Sequence, residues 1–150
     1  MRLALLAALL AASMLVLGAC AQRETHEQYE RRVAQSYEQR TLLLSRLPEE
    51  QDPDYFLQAM EAFQEDIARL REINPPASVE QGHEAYLRSL EGSVRLLQRL
   101  ANCRALARVS QEESRACIQG ISSEELDQIE NDFVEAKAIF EAEGYQLEGL

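Results

Sequence analysis

The chain has 150 residues, with 15 Lys+Arg against 26 Asp+Glu, three Cys and no Trp, and 46% of it is apolar. That length suits one domain, and the composition is that of a globular chain rather than a collagenous or low-complexity one. The formal charge of −11 excludes the basic stripe that nucleic-acid recognition needs, so no nucleic acid is expected as a partner.

Residues 1–20 read MRLALLAALLAASMLVLGAC. One charge, Arg2, precedes an apolar run from Leu3 to Leu17, and the small residues Gly18 and Ala19 follow. This order is that of a secretory signal peptide. The run is shorter than the roughly 18–20 residues a spanning helix needs, and no stop-transfer pattern follows. Leu17-Gly18-Ala19-Cys20 resembles the lipobox of bacterial lipoproteins. The resemblance implies that Cys20 receives a diacylglycerol on its sulfur, that the signal peptide 1–19 is cut between Ala19 and Cys20, and that the new amino group is acylated. The membrane is then a partner through the lipid anchor, because two or three acyl chains hold stably where one holds marginally. Ala21 rather than Asp follows Cys20. By the sorting rule of enteric lipoproteins this places the protein at the outer membrane rather than the inner, facing the periplasm. An ordinary secretory signal with a Cys beside its cut is the plain alternative. Without the leader, 14 basic and 26 acidic groups remain, a formal charge of −12.

After a short tether over 20–23, residues 24–145 read as one helical domain, with apolar residues at helical spacing and no alternating strand. A first helix is predicted over 24–46, with Tyr29, Val33, Tyr37, Leu43, Leu44 and Leu47 towards one side, stopping before Pro48. Asp52-Pro53 offers an N-cap followed by Pro at the first helical position. Phe56, Met60, Phe63, Ile67 and Leu70 then recur at four-three-four-three spacing until Asn74-Pro75-Pro76 ends the second helix. Ser78 with Gln81 reads as a capping box opening a third helix to about residue 108, through Leu87, Leu90, Val94, Leu97, Ala101 and Leu106. Gly92 is the expected place for a bend.

Ser110 with Glu113 caps a short helix over 111–118 that Gly120 stops. Ser122 with Glu125 reads as a capping box and Ile121 with Leu126 as a staple. The stripe Leu126, Ile129, Phe133, Ala136 and Phe140 follows and Gly144 ends it. Glu27–Arg31, Glu65–Arg69, Glu84–Arg88 and Glu91–Arg95 stand at i,i+4 in the favoured order. The expected fold is all-α, an antiparallel up-down-up-down four-helix bundle with a short extra helix between the last two long helices. A third helix about 45 Å long, against roughly 32 Å for its neighbours, would overhang the bundle, and the short helix is placed to fold back over it.

With Cys20 taken by lipid, Cys103 and Cys117 remain in a chain bound for an oxidising compartment. A turn centred near Ser110 brings them level, and a disulfide closing a loop of about 15 residues stabilises by about 3 kcal/mol in the chain-entropy model. Two separate buried thiols, a redox pair or a metal site are the alternatives, although the C-x-x-C of a redox pair is missing.

His26 and His83 are the only histidines. No H-E-x-x-H, no haem-attachment motif, no G-x-S-x-G elbow and no glycine-rich phosphate loop is present, so no enzyme, metal or cofactor is expected. If the domain is instead a module holding a small ligand or metal between helices, His83, Tyr86 and Arg88 are the residues to hold it. Residues 88–108 carry a net charge of +4 and residues 112–148 a net −9. Structurally, this asymmetry pairs the third long helix with the fourth. Functionally, it offers an acidic docking surface to a basic partner, or an arginine cluster to an anionic envelope component.

The stretch Ile73-Asn74-Pro75-Pro76-Ala77, followed by His83, Tyr86 and Leu87, is similar to a pattern in small helical lipoproteins of unassigned function. It covers under twenty residues, implies a rigid turn, and transfers no functional residue. The expectation is a lipid-anchored, non-enzymatic helical domain that acts as a structural element or through an envelope protein partner. The alternative is a periplasmic binding module.

Overall fold

The computed structural model describes residues 23–47 and 52–146. The leader with Ala19, the residue Cys20 and the expected helix stop Pro48 lie outside the described residues. Across them the chain is all-helical: α1 (His26–Arg46), α2 (Pro53–Arg71), α3 (Glu80–Leu106), α4 (Gln111–Gln119) and α5 (Ser123–Ala142), with a 3-10 turn at Ala77–Val79 before α3.

Local chemistry sets most helix ends. Thr25 and Gln28 form a reciprocal capping box at α1, and the Asp52 carboxylate accepts the Asp54 N–H at 3.1 Å just before Pro53 opens α2. The Ser110 hydroxyl accepts the Glu113 N–H at 3.2 Å at the start of α4. At α5 the Ser122 hydroxyl accepts from Glu124, and the Glu125 side chain, expected to complete a capping box, pairs with Arg99 instead. The cap expected from Ser78 does not form. Pro75-Pro76 feeds directly into the 3-10 turn, so Ser78 already sits inside helical backbone, and the Gln81 amide donates to Glu135 at 3.0 Å. Gly144, at φ +82°, closes α5 in a Schellman turn: the Tyr145 N–H reaches the Phe140 carbonyl at 3.0 Å and the Gly144 N–H that of Glu141 at 3.1 Å. That turn folds Tyr145, 4% exposed, back onto Tyr29 and Phe140, with His26 stacked on its ring.

α3 is the central element, packed against α2, α4 and α5. Phe56, Phe63, Ile67 and Leu70 of α2 meet Tyr86, Leu90 and Leu97 of α3, and Ala136 and Phe140 of α5 complete the core. Leu126, expected to begin the α5 stripe, is 44% exposed. On α1 the buried positions are Tyr29, Val33, Ser36 and Arg40. The register set by Tyr29 and Val33 continues onto two polar residues, and Tyr37, Leu43, Leu44 and Leu47 lie half-buried at its edges.

α3 is one continuous helix through Gly92. The glycines serve close approach to α5. A Cβ on Gly92 would stand 2.6 Å from Ile129 Cγ1, and one on Gly82 would stand 2.9 Å from Ile139 Cγ2, 3.1 Å from Ile139 Cβ and 3.2 Å from Phe140 Cε1. Between them the Ser89 hydroxyl donates to the Ile129 carbonyl at 3.0 Å. Gly82→Ala gains at most about 1 kcal/mol in helix propensity but overpacks a seam where such insertions cost about 1–3 kcal/mol. Because Ile139 Cβ is fixed to its backbone, a net loss of about 1–2 kcal/mol is expected in urea unfolding; an unchanged midpoint would show that α5 yields at a cost no larger than the propensity gain.

Several charged side chains tie helix to helix, while Arg69–Asp66 and Lys137–Glu141 pair along their own helices. Arg88 reaches Asp132 and Glu135, both at 3.0 Å, Arg71 reaches Glu91 at 2.6 Å, and Arg99 pairs with Glu125. The arginines of α3 thus meet the acids of α5, and the expected i,i+4 partners Glu84 of Arg88 and Glu65 of Arg69 give way to Asp132 and Asp66. α4 folds back along the end of α3, joined to it by the Cys103–Cys117 disulfide with Cα atoms 5.4 Å apart, and Arg99 donates to the Gly120 carbonyl at 3.3 Å.

Candidate functional site

The inner face of α1 bears the polar groups that are buried against the other helices. Nearest its start, the Tyr29 hydroxyl and His83 Nδ1 share a hydrogen bond at 3.0 Å. Burial pushes the His83 pKa below its ordinary value, opposed by the Leu70 backbone and Glu84, and burial pushes that of Tyr29 far up.

Two turns along, the Ser36 hydroxyl donates to Asp66 Oδ2, and the Tyr86 hydroxyl stands 2.9 Å from Ser36 Oγ. Ser36 has one proton and Asp66 takes it, so Tyr86 is the donor to Ser36. The second Asp66 oxygen accepts from Arg69 at 3.1 Å, and Arg69 also reaches Gln39 at 3.3 Å. Burial pushes the Tyr86 hydroxyl up to about 12. A pocket of about 170 Å³ opens beside this cluster, with Arg32, Gln35, Ser36, Asp66 and Arg69 among its lining residues.

One turn further, Arg40 is 9% exposed and its guanidinium carbon stands 4.1 Å from the centroid of the Phe133 ring. Tyr37 stacks on the same ring. Burial lowers the Arg40 pKa, and Arg40 Nε is sealed from solvent with no hydrogen-bond acceptor.

Of the residues predicted to hold a ligand, His83 and Tyr86 point inward to separate hydrogen bonds. Arg88 lies on the outer α3–α5 surface in its two ion pairs. The three do not converge. Sequence reasoning missed Ser36, Arg40 and Asp66; the signal for the first two was the four-three-four continuation of Tyr29 and Val33 onto positions 36 and 40. Among the described residues no group of three His, Cys, Asp or Glu could hold a metal, and no helix is long and apolar enough to cross a membrane.

The state of His83 makes stability depend on pH. Its folded pKa lies below the unfolded value of about 6.5, so the unfolded chain takes up the proton first on acidification. The stabilisation is complete above that value and is lost as pH falls from it towards the folded pKa. Thermal melts from pH 7.5 to 5 should show a fall in Tm that is shallower in His83→Gln; equal slopes in the two proteins would refute it.

No protein family matches this chain, and neither a curated protein nor a solved structure is detectably similar to it.

Proposed function

We propose that this chain is a lipid-anchored envelope lipoprotein, held at the outer membrane through Cys20 and facing the periplasm. Its helical domain works by contact with an envelope protein partner rather than by catalysis. The lipobox resemblance at Leu17-Gly18-Ala19-Cys20 supports the anchor. We read the four long helices as an antiparallel up-down-up-down bundle. Tyr29 lies by Phe140 and Tyr37 by Phe133, while Gly82 lies by Ile139 and Gly92 by Ile129, so positions rise on one helix as they fall on its neighbour.

The observation that carries the contact reading is the outer face of α5. Asp132, Glu135 and Glu125 are engaged by arginines of α3, whereas Glu124, Asp127 and Glu130 stand exposed. Beside them Leu126 is 44% and Val134 54% exposed. An acidic surface with apolar spots suits a basic partner whose own apolar side chains cover those spots. The tether ends at Arg23, which bonds the Pro75 carbonyl and Glu80, so this end of the domain sits nearest the anchor. Tyr29 and Phe140 share that end, so Glu124 stands about 24 Å further out along α5, within reach of a periplasmic partner.

Metabolic labelling with palmitate tests the anchor: label on the wild type and none on Cys20→Ser is expected, and an unlabelled wild type overturns it. In-cell cross-linking tests the face. The triple change Glu124→Lys, Asp127→Lys and Glu130→Lys should abolish a specific adduct while leaving Tm nearly unchanged, because exposed charges contribute little to stability. An adduct that survives the triple change overturns the contact reading.

A further inference from the structure

We propose that the groove between α1 and α5 over Arg40 is a binding site for a small organic carboxylate with an apolar body. The site goes beyond the contact reading above and stands independently of the lipid anchor. The groove measures about 400 Å³ and is lined by Tyr37, Arg40, Thr41, Leu44, Ser45 and Phe133. That volume lies within the range of small-molecule sites, roughly 300–1,000 Å³.

Arg40 is the reason the groove calls for an anion. The residue is 9% exposed, and no carboxylate among the described residues forms an ion pair with it. Other arginines of the domain reach carboxylates, among them Arg23, Arg32, Arg69, Arg71, Arg88 and Arg99. Asp66, a buried carboxylate lining the same small cavity as Arg40, is already taken by Ser36 and Arg69. The contact that the structure does give the Arg40 guanidinium is the face of Phe133, 4.1 Å from its carbon. A cation over a ring gains something, but less than a buried charge loses without a counter-charge. An anion in the groove supplies that counter-charge.

The remaining wall narrows the class. One guanidinium lines the groove, which matches one negative charge. A dianionic phosphate would call for a second cation, whereas a carboxylate fits the fork of a single arginine with two parallel hydrogen bonds. Phe133, Tyr37 and Leu44 give an aromatic and aliphatic wall for the rest of the molecule. Thr41 offers a hydroxyl at the rim, while the Ser45 proton is engaged by the Leu42 carbonyl at 2.9 Å and leaves its oxygen as an acceptor.

Benzoate and benzamide separate charge from shape, since the two are nearly isosteric and one is neutral. Thermal melts of the full chain in a non-ionic detergent should show benzoate raising Tm by about 3 °C or more at roughly tenfold its Kd. Benzamide at the same concentration should leave Tm unchanged. Arg40→Met should lose the benzoate shift, and Arg40→Lys should keep a reduced one, because a point charge replaces the fork. If Arg40→Met does not fold, the wild-type pair and Arg40→Lys decide the matter. Equal shifts from benzoate and benzamide, no shift from either, or a full benzoate shift in folded Arg40→Met would each overturn the proposal.

Discussion

Replacing Cys103 and Cys117 together by alanine should lower the unfolding free energy by about 3 kcal/mol. The two are 14 positions apart, so the bridge closes a short loop and removes that loop's freedom from the unfolded chain. Alanine is the right replacement because Cys103 is buried, and a serine hydroxyl there would add a desolvation cost of its own. The native consequence centres on α4. Its nine residues are far too few to hold a helix alone, and the contacts that keep it helical are those it makes with α3. Urea unfolding with and without dithiothreitol measures the stability change, and amide exchange should show protection lost over 111–119 before it is lost over α2 or α3. A change under about 1 kcal/mol would mean that packing against α3 holds α4 without the bridge.

Ser36→Ala should cost about 2–4 kcal/mol although it removes a single oxygen. The hydroxyl is the middle of a chain, receiving from Tyr86 and giving to Asp66, and all three residues are buried. Its loss leaves the Tyr86 hydroxyl without an acceptor and a carboxylate oxygen of Asp66 without a donor, and an unsatisfied charged group is the more expensive of the two. Ser45→Ala, at an exposed position on the same helix, should change stability by less than about 0.5 kcal/mol and serves as the control. A double-mutant cycle with Tyr86→Phe should show strong non-additivity, since each change orphans the other's group. Additive losses would mean that water replaces the missing hydroxyl through the neighbouring pocket.

Both effects sit where α1 and α4 join the rest, and those two junctions differ in how far sequence foretold them. The Cys103–Cys117 pairing was legible because a capped turn at Ser110 places the two residues level, a matter of counting along one strand of chain. Asp52-Pro53, Ser110 and Gly144 marked helix ends correctly for the same reason: each acts on backbone groups within a turn of itself. Ser78 failed because the proline pair upstream had already turned the backbone into a 3-10 helix, removing the extended geometry an N-cap requires.

What sequence alone determined, then, was the all-helical class, the bounds of the helices to within a few residues, and the stripes of α2 and α5 from Ile129 onward. These rest on periodicity and caps, which are short-range. The tertiary structure decided everything that depends on which helix stands opposite. The charge asymmetry foretold that α3 and α5 pair, but which acids Arg88 and Arg99 take was settled only across the seam, where Gly92 also makes room for Ile129. Ser36 and Arg40 lie inside, and His83, Tyr86 and Arg88 look in different directions. The physical reason is common to all of them. Serine, glycine and arginine read as surface or tolerated residues on a helix taken alone. Their roles follow from the atoms supplied across the gap, an Asp66, an Ile129 or a Phe133, by segments far away in the chain.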